Sequence, residues 1–100
     1  MSSVYTHGRW VVKPGKEHEF VEAWRAMADW AMLEVPGALG ATLLRDHEQP
    51  NVFISFGPWH NREAAAEFRA APGFREHFMT LEKLIDNFEP QTLDRVATVS

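Results

Sequence analysis

The chain has 100 residues, 45% of them apolar and 24% charged, with ten Lys+Arg against fourteen Asp+Glu and a net charge of −4. That balance excludes a disordered tail, a collagen-like chain and a low-complexity scaffold, and its excess of acid argues against a nucleic-acid partner. With no cysteine there is no disulfide frame, no thiol nucleophile and no thiolate metal site. No apolar run approaches the ~18 residues of a membrane span, and no basic segment followed by an apolar stretch opens the chain. The expectation is one cytosolic domain over residues 1–100, with no membrane and no nucleic acid as partner.

Val4 to Lys13 reads as the first strand. One face carries Val4, Thr6, Gly8, Trp10 and Val12, the other Tyr5, His7, Arg9 and Val11. Both faces hold large apolar groups. Pro14-Gly15 ends the strand, and a helix is expected from Glu17 to Glu34. Glu17 and Glu19 suit its first turn, where the helix dipole favours negative charge. Phe20, Val21, Trp24, Met27, Ala28, Ala31 and Met32 form its apolar stripe. Trp30 and Leu33 fall outside that stripe, which suggests a second contact such as a subunit or a lid.

Pro36-Gly37 breaks the helix. A second strand is expected over Leu39–Asp46, a turn over His47–Asn51 and a third strand over Val52–Gly57. Pro58-Trp59-His60-Asn61 then leads into a short helix with Asn61 as its N-cap. After Pro72-Gly73 a third helix is expected from Phe74 to about Phe88, with Phe74, Phe78, Leu81, Leu84, Ile85 and Phe88 as its stripe. His77 lies at the edge of that stripe. Pro90 introduces a last strand over Thr92–Val99.

The order β-α-β-β-α-α-β is an α+β, ferredoxin-like pattern with a four-stranded antiparallel sheet and a broken second helix. Helices cover one face of such a sheet. Because the strands are apolar on both faces, a second copy packed sheet to sheet is the economical cover, giving a homodimer.

Lys13-Pro14-Gly15-Lys16-Glu17, Pro36-Gly37 with Leu39-Gly40, Trp59 before Asn61-Arg62-Glu63-Ala64, and Ala71-Pro72-Gly73-Phe74 resemble the antibiotic biosynthesis monooxygenase domain in order and spacing. The resemblance covers nearly the whole chain. It implies a dimeric α+β barrel and oxygenation without a cofactor, in which an electron-rich aromatic is deprotonated and itself reduces O₂. Such chemistry needs an apolar pocket, a base and donors for the anion. A binding or accessory dimer that holds a small apolar or aromatic molecule without turnover shares all of these features except the base.

His77, bordering a greasy helix face, is the first candidate base, and an unperturbed imidazole suits that task at neutral pH. Against it stands a structural histidine bonded to backbone. His7 is the second candidate base, facing either the pocket or the partner. If His7, Arg9 and Tyr5 share a cavity, they could hold a phenolate. Trp24, Trp59, Phe68 and Phe78 are expected to shape the pocket, although aromatics on core stripes are more often core. Haem-degrading relatives carry tryptophan where this chain has Phe68, and asparagine near Gly8 or His7. Their haem ligand aligns with Phe78, and His77 is turned ~100° from that position. The haem triad is therefore not carried over, and haem degradation ranks below the other two readings. His18 with Glu22, and Asp46-His47-Glu48, lack the placement of a metal site.

Overall fold

A computed structural model describes residues 3–100. The elements are β1 (Val4–Val12), α1 (Glu17–Glu34), β2 (Thr42–Arg45), β3 (Val52–Trp59), α2 (Arg62–Ala70), α3 (Pro72–Glu82) and β4 (Ile85–Asp94). They form the expected α+β arrangement, a four-stranded antiparallel sheet in the order β2-β3-β1-β4.

Strand alternation decides what each side of the sheet holds. Val4, Gly8, Trp10 and Val12 of β1 are buried beneath the helices, as are Phe53, Gly57 and Trp59 of β3. Phe20, Met27 and Ala31 of α1 and Leu81 of α3 close over them. Trp10 is the centre of this core: its ring stacks on Phe88 at 3.8 Å and lies 5.3 Å from Phe20. On the opposite face, His7 pairs with Phe56 and Gln91, Arg9 with Ile54 and Glu89, and Val11 with Val52 and Asn87. Exposed Leu44 and Leu93 lie on that same face.

The helix ends follow local chemistry. The Asn61 side chain accepts a bond from the Ala64 N–H at 2.8 Å, capping α2 as its sequence suggests. Pro72 opens α3 at a position where a missing N–H costs nothing. In the β2–β3 turn, Asp46 accepts bonds from the N–H groups of Gln49 and Glu48. Those two bonds, Gln49 first, hold its carboxyl below the usual carboxylate range.

Three expectations are corrected. The third helix stops at Glu82, and Ile85 to Phe88 belong to β4. Leu81, Leu84, Ile85 and Phe88 have helical spacing, but β1 needs a partner for its second edge, and β4 pairs along it from Ile85 to Asp94. Pro90 therefore lies inside a strand, opposite Gly8, on a sheet edge where proline is tolerated. Residues 95–100 are not strand. The second strand is shorter than expected: residues 39–41 run beside Gly57 and Pro58 of β3 without a regular ladder, held by one isolated bridge from Ala38 to Trp59 and by the Leu39 N–H donating to the Pro58 carbonyl at 3.2 Å.

Trp30 finds its second contact within the chain. It packs 6.1 Å from Phe68 and 5.6 Å from His77, over Gly73 at the α2–α3 junction. A side chain at Gly73 would overlap its ring. Leu33 remains 81% exposed.

Gly57 has a similar duty. A Cβ there would run into the Gly40 carbonyl oxygen and stand 3.1 Å from the Ala41 Cα. Backbone cannot rotate out of the way as a side chain can, so Gly57→Ala is expected to lower the unfolding free energy by about 1–3 kcal/mol, measured by urea denaturation.

Candidate functional site

The glycines leave space on the helix side of the sheet. Gly8 and Gly57, with no side chains, lie among Trp10, Ser55 and Trp59, and a cavity of about 80 Å³ opens above them. One water needs roughly 10–15 Å³, so the cavity has room for more than a solvent molecule. Trp24, Met27, Ala28 and Ala31 of α1 line one side, Phe68 and Phe74 another. Met32 and Ala41 line it too and are solvent-exposed.

The polar groups in this apolar wall are few and fixed. The Trp59 indole N–H donates to Thr6 Oγ1 at 2.8 Å, and the Trp10 indole N–H donates to Ser55 Oγ at 2.9 Å. A hydroxyl that accepts from an indole keeps its own hydrogen to give. Two O–H donors are thus anchored on neighbouring strands beside the cavity. Arg69, in the last turn of α2, also borders it, and partial burial lowers the pKa of its guanidinium.

Among the residues singled out from sequence, Trp24, Trp59 and Phe68 line the cavity. Phe78 stands behind it, stacked on Phe74 at 5.6 Å and tilted against Trp10 at 6.2 Å. Tyr5 and Arg9 do not line it. They alternate onto the outer sheet face, where Arg9 Nη1 lies 3.7 Å from the Glu89 carboxylate. His7 shares that outer face by strand alternation and is also among the residues that border the cavity. The His7 Nδ1 atom is buried without a hydrogen-bond partner. His77 packs against Trp30 between α1 and α3, away from the cavity lining. The two histidines are therefore not brought together.

Thr6, Ser55 and Arg69 were not singled out from sequence. Ser55 carried a signal: it is the one polar residue in Val52–Phe56 and shares a face with Phe53. Thr6 shares its face with Trp10. Arg69 carried none, because its reach to β4 depends on where that strand lies. Among the described residues, no three His, Asp or Glu side chains are grouped to hold a metal, and no helix is long and apolar enough to cross a membrane.

Trp10 is almost completely buried, so its indole N–H depends on the Ser55 hydroxyl. Ser55→Ala should destabilise the protein by about 1–3 kcal/mol in urea denaturation, the cost of a buried unsatisfied donor. An unchanged midpoint would mean that the indole has another acceptor.

Comparison with known proteins agrees with this architecture. No curated protein matches the chain significantly by sequence. Among solved structures, SnoaB, a cofactor-independent oxygenase from Streptomyces nogalater, superposes with a TM-score of 0.88 at 25% identity, over 99% of this chain and 98% of that one. A conserved protein from Methanosarcina mazei Go1 superposes with a TM-score of 0.83 at 19% identity, over 95% and 94% of the two chains. A protein from Pseudomonas aeruginosa does so with a TM-score of 0.80 at 18% identity, over 97% of each. These last two likenesses bear on the fold alone. The family model for antibiotic biosynthesis monooxygenase matches residues 3–79. With the sheet order and cavity described above, the chain belongs to the antibiotic biosynthesis monooxygenase family.

Proposed function

We propose that the protein is a cofactor-independent monooxygenase that oxidises a small electron-rich aromatic, of the hydroquinone, anthrone or polyketide type, with O₂. The observation that carries this reading is the apolar cavity holding two anchored hydroxyl donors. The likeness to SnoaB, a cofactor-independent oxygenase, supports it.

In this reading Trp24, Trp59 and Phe68 hold the ring and exclude water, with Phe78 supporting Phe74 from behind. The hydroxyls of Thr6 and Ser55 donate to the substrate oxygen and favour its anion. The anion gives electrons to O₂, and a carbon–oxygen bond forms at the reacting carbon. One oxygen atom stays on that carbon as a carbonyl. The other leaves as water with the two hydrogens the substrate loses. His77 lies away from the cavity and His7 belongs by strand alternation to the outer sheet face, so in this reading the first proton passes to water at the mouth rather than to either imidazole.

Oxygen uptake against a panel of hydroquinones and anthrones tests this. Thr6→Val is expected to lower kcat by about 10²-fold, the usual loss for one anion-holding donor, with circular dichroism unchanged. His7→Ala and His77→Ala should leave kcat little changed. A large loss in either would return the base to that histidine. Binding of these aromatics without any oxygen uptake would make the protein a carrier.

The homodimer is part of the same proposal. Leu44 and Leu93 are 51% and 42% exposed on the outer sheet face, beside Tyr5, Val11 and Ile54. Burying such a patch against a second copy removes apolar area from water on both chains. Sedimentation at micromolar concentration should give a species near twice 11.4 kDa. Leu44→Asp, which leaves the helix-side core untouched, should give a folded monomer. A wild-type monomer would overturn the dimer without touching the chemistry.

A further inference from the structure

Arg69 stands where the interior cavity, the outer surface of α2 and the groove beside α3 meet, and it borders all three. Its guanidinium spans the gap from α2 to the edge strand. Nη1 donates to Thr92 Oγ1 at 2.8 Å, and Nη2 donates to the Gln91 carbonyl at 3.1 Å. Both acceptors are neutral. The ion pairs among the described residues are Arg9–Glu89 and Lys16–Glu19, so no carboxylate answers this charge. Glu63 borders the groove outside α2 without pairing to it.

A guanidinium has five N–H donors, and the clasp to β4 uses two. Holding two neutral acceptors does not require a charge. Partial burial makes the charge costlier still. What the charge and the remaining donors suit is a planar anion with two oxygens, bound as a fork, with the ring attached to it lying in the apolar cavity.

We infer that the aromatic this protein accepts carries a carboxylate, and that Arg69 receives that carboxylate at the gap between α2 and β4. The inference rests on the cavity being an aromatic site, and it adds the charge that selects among aromatics. Arg69 is a specificity residue in this account and takes no part in the oxidation.

Calorimetric titration with naphthoate and with naphthalenemethanol, its neutral counterpart, tests the inference apart from turnover. The wild-type protein should bind naphthoate about tenfold more tightly, the worth of one charge-assisted bond, and added salt should reduce that preference. Arg69→Gln should bring naphthoate down to the level of the alcohol and leave the alcohol unchanged. Arg69→Lys should keep part of the preference, because the charge stays and the fork is lost. Should Arg69→Gln fail to fold, the wild-type preference and Arg69→Lys still decide. Equal binding of the two compounds, or a preference that survives loss of the charge, overturns the inference while the aromatic site stands. Binding of neither compound overturns the aromatic site and this inference together.

Discussion

The helix-facing rows of β1 and β3 set large rings beside positions with no side chain at all. Trp10 and Trp59 stand near Gly8 and Gly57, and the strand pleat fixes every one of these residues on the same side. The arrangement is not free to vary. A Cβ at Gly8 would come within 2.7 Å of Phe88 and 2.9 Å of the Ser55 hydroxyl, and at Gly57 it would strike the Gly40 backbone. The indoles cannot turn away either, because each gives its N–H to a hydroxyl on the neighbouring strand. A fixed wall of rings over a bare stretch of sheet leaves a hollow in what would otherwise be a close-packed core.

That hollow inherits its chemistry from the bonds that hold it open. The indoles take one lone pair from Thr6 and Ser55 and so orient both hydroxyls within an apolar surround. Donors held in place before a ligand arrives need no reorganisation when charge develops, and they are worth more in an apolar site than in water. The same strand alternation sends His7, Arg9 and Tyr5 to the other side of the sheet. Polar residues of β1 are thereby divided: the Thr6 hydroxyl toward the helices, and Tyr5, His7 and Arg9 toward the outer face.

How far sequence carries depends on whether a residue's duty is local. Periodicity was enough for β1 and α1, and the Asn61 cap followed from one side chain and the N–H three residues on. The end of α3 was not legible. Leu81, Leu84, Ile85 and Phe88 suit a helix stripe, and only the empty edge of β1 makes the last two strand residues. That error displaced His77, whose position was judged on a helix longer than the real one. His77 meets Trp30 instead. Trp30 itself was rightly suspected of a second contact, but a helical wheel cannot tell a partner subunit from a later helix of the same chain. Arg69 was invisible for the converse reason. Its hydrogen bonds are to Thr92 and Gln91, more than twenty positions away.

A hollow in a core is a cost, and its size bears on whether it is a site or a flaw. At about 24 cal/mol per Å³, the cost of an enclosed core cavity, 80 Å³ sets an upper bound on the order of 2 kcal/mol on the packing that this open hollow forgoes. That is a substantial share of what a small domain has. The cavity could be made smaller cheaply, since Ala28 and Ala31 of α1 face it where larger aliphatic side chains also suit a helix. Nor is the wall apolar throughout, as close packing alone would favour. This cavity has two hydroxyls and a guanidinium at its edge. Unfilled space costs packing, and that cost would be offset by an aromatic ligand of the kind proposed above, filling the volume with its oxygens meeting the donors.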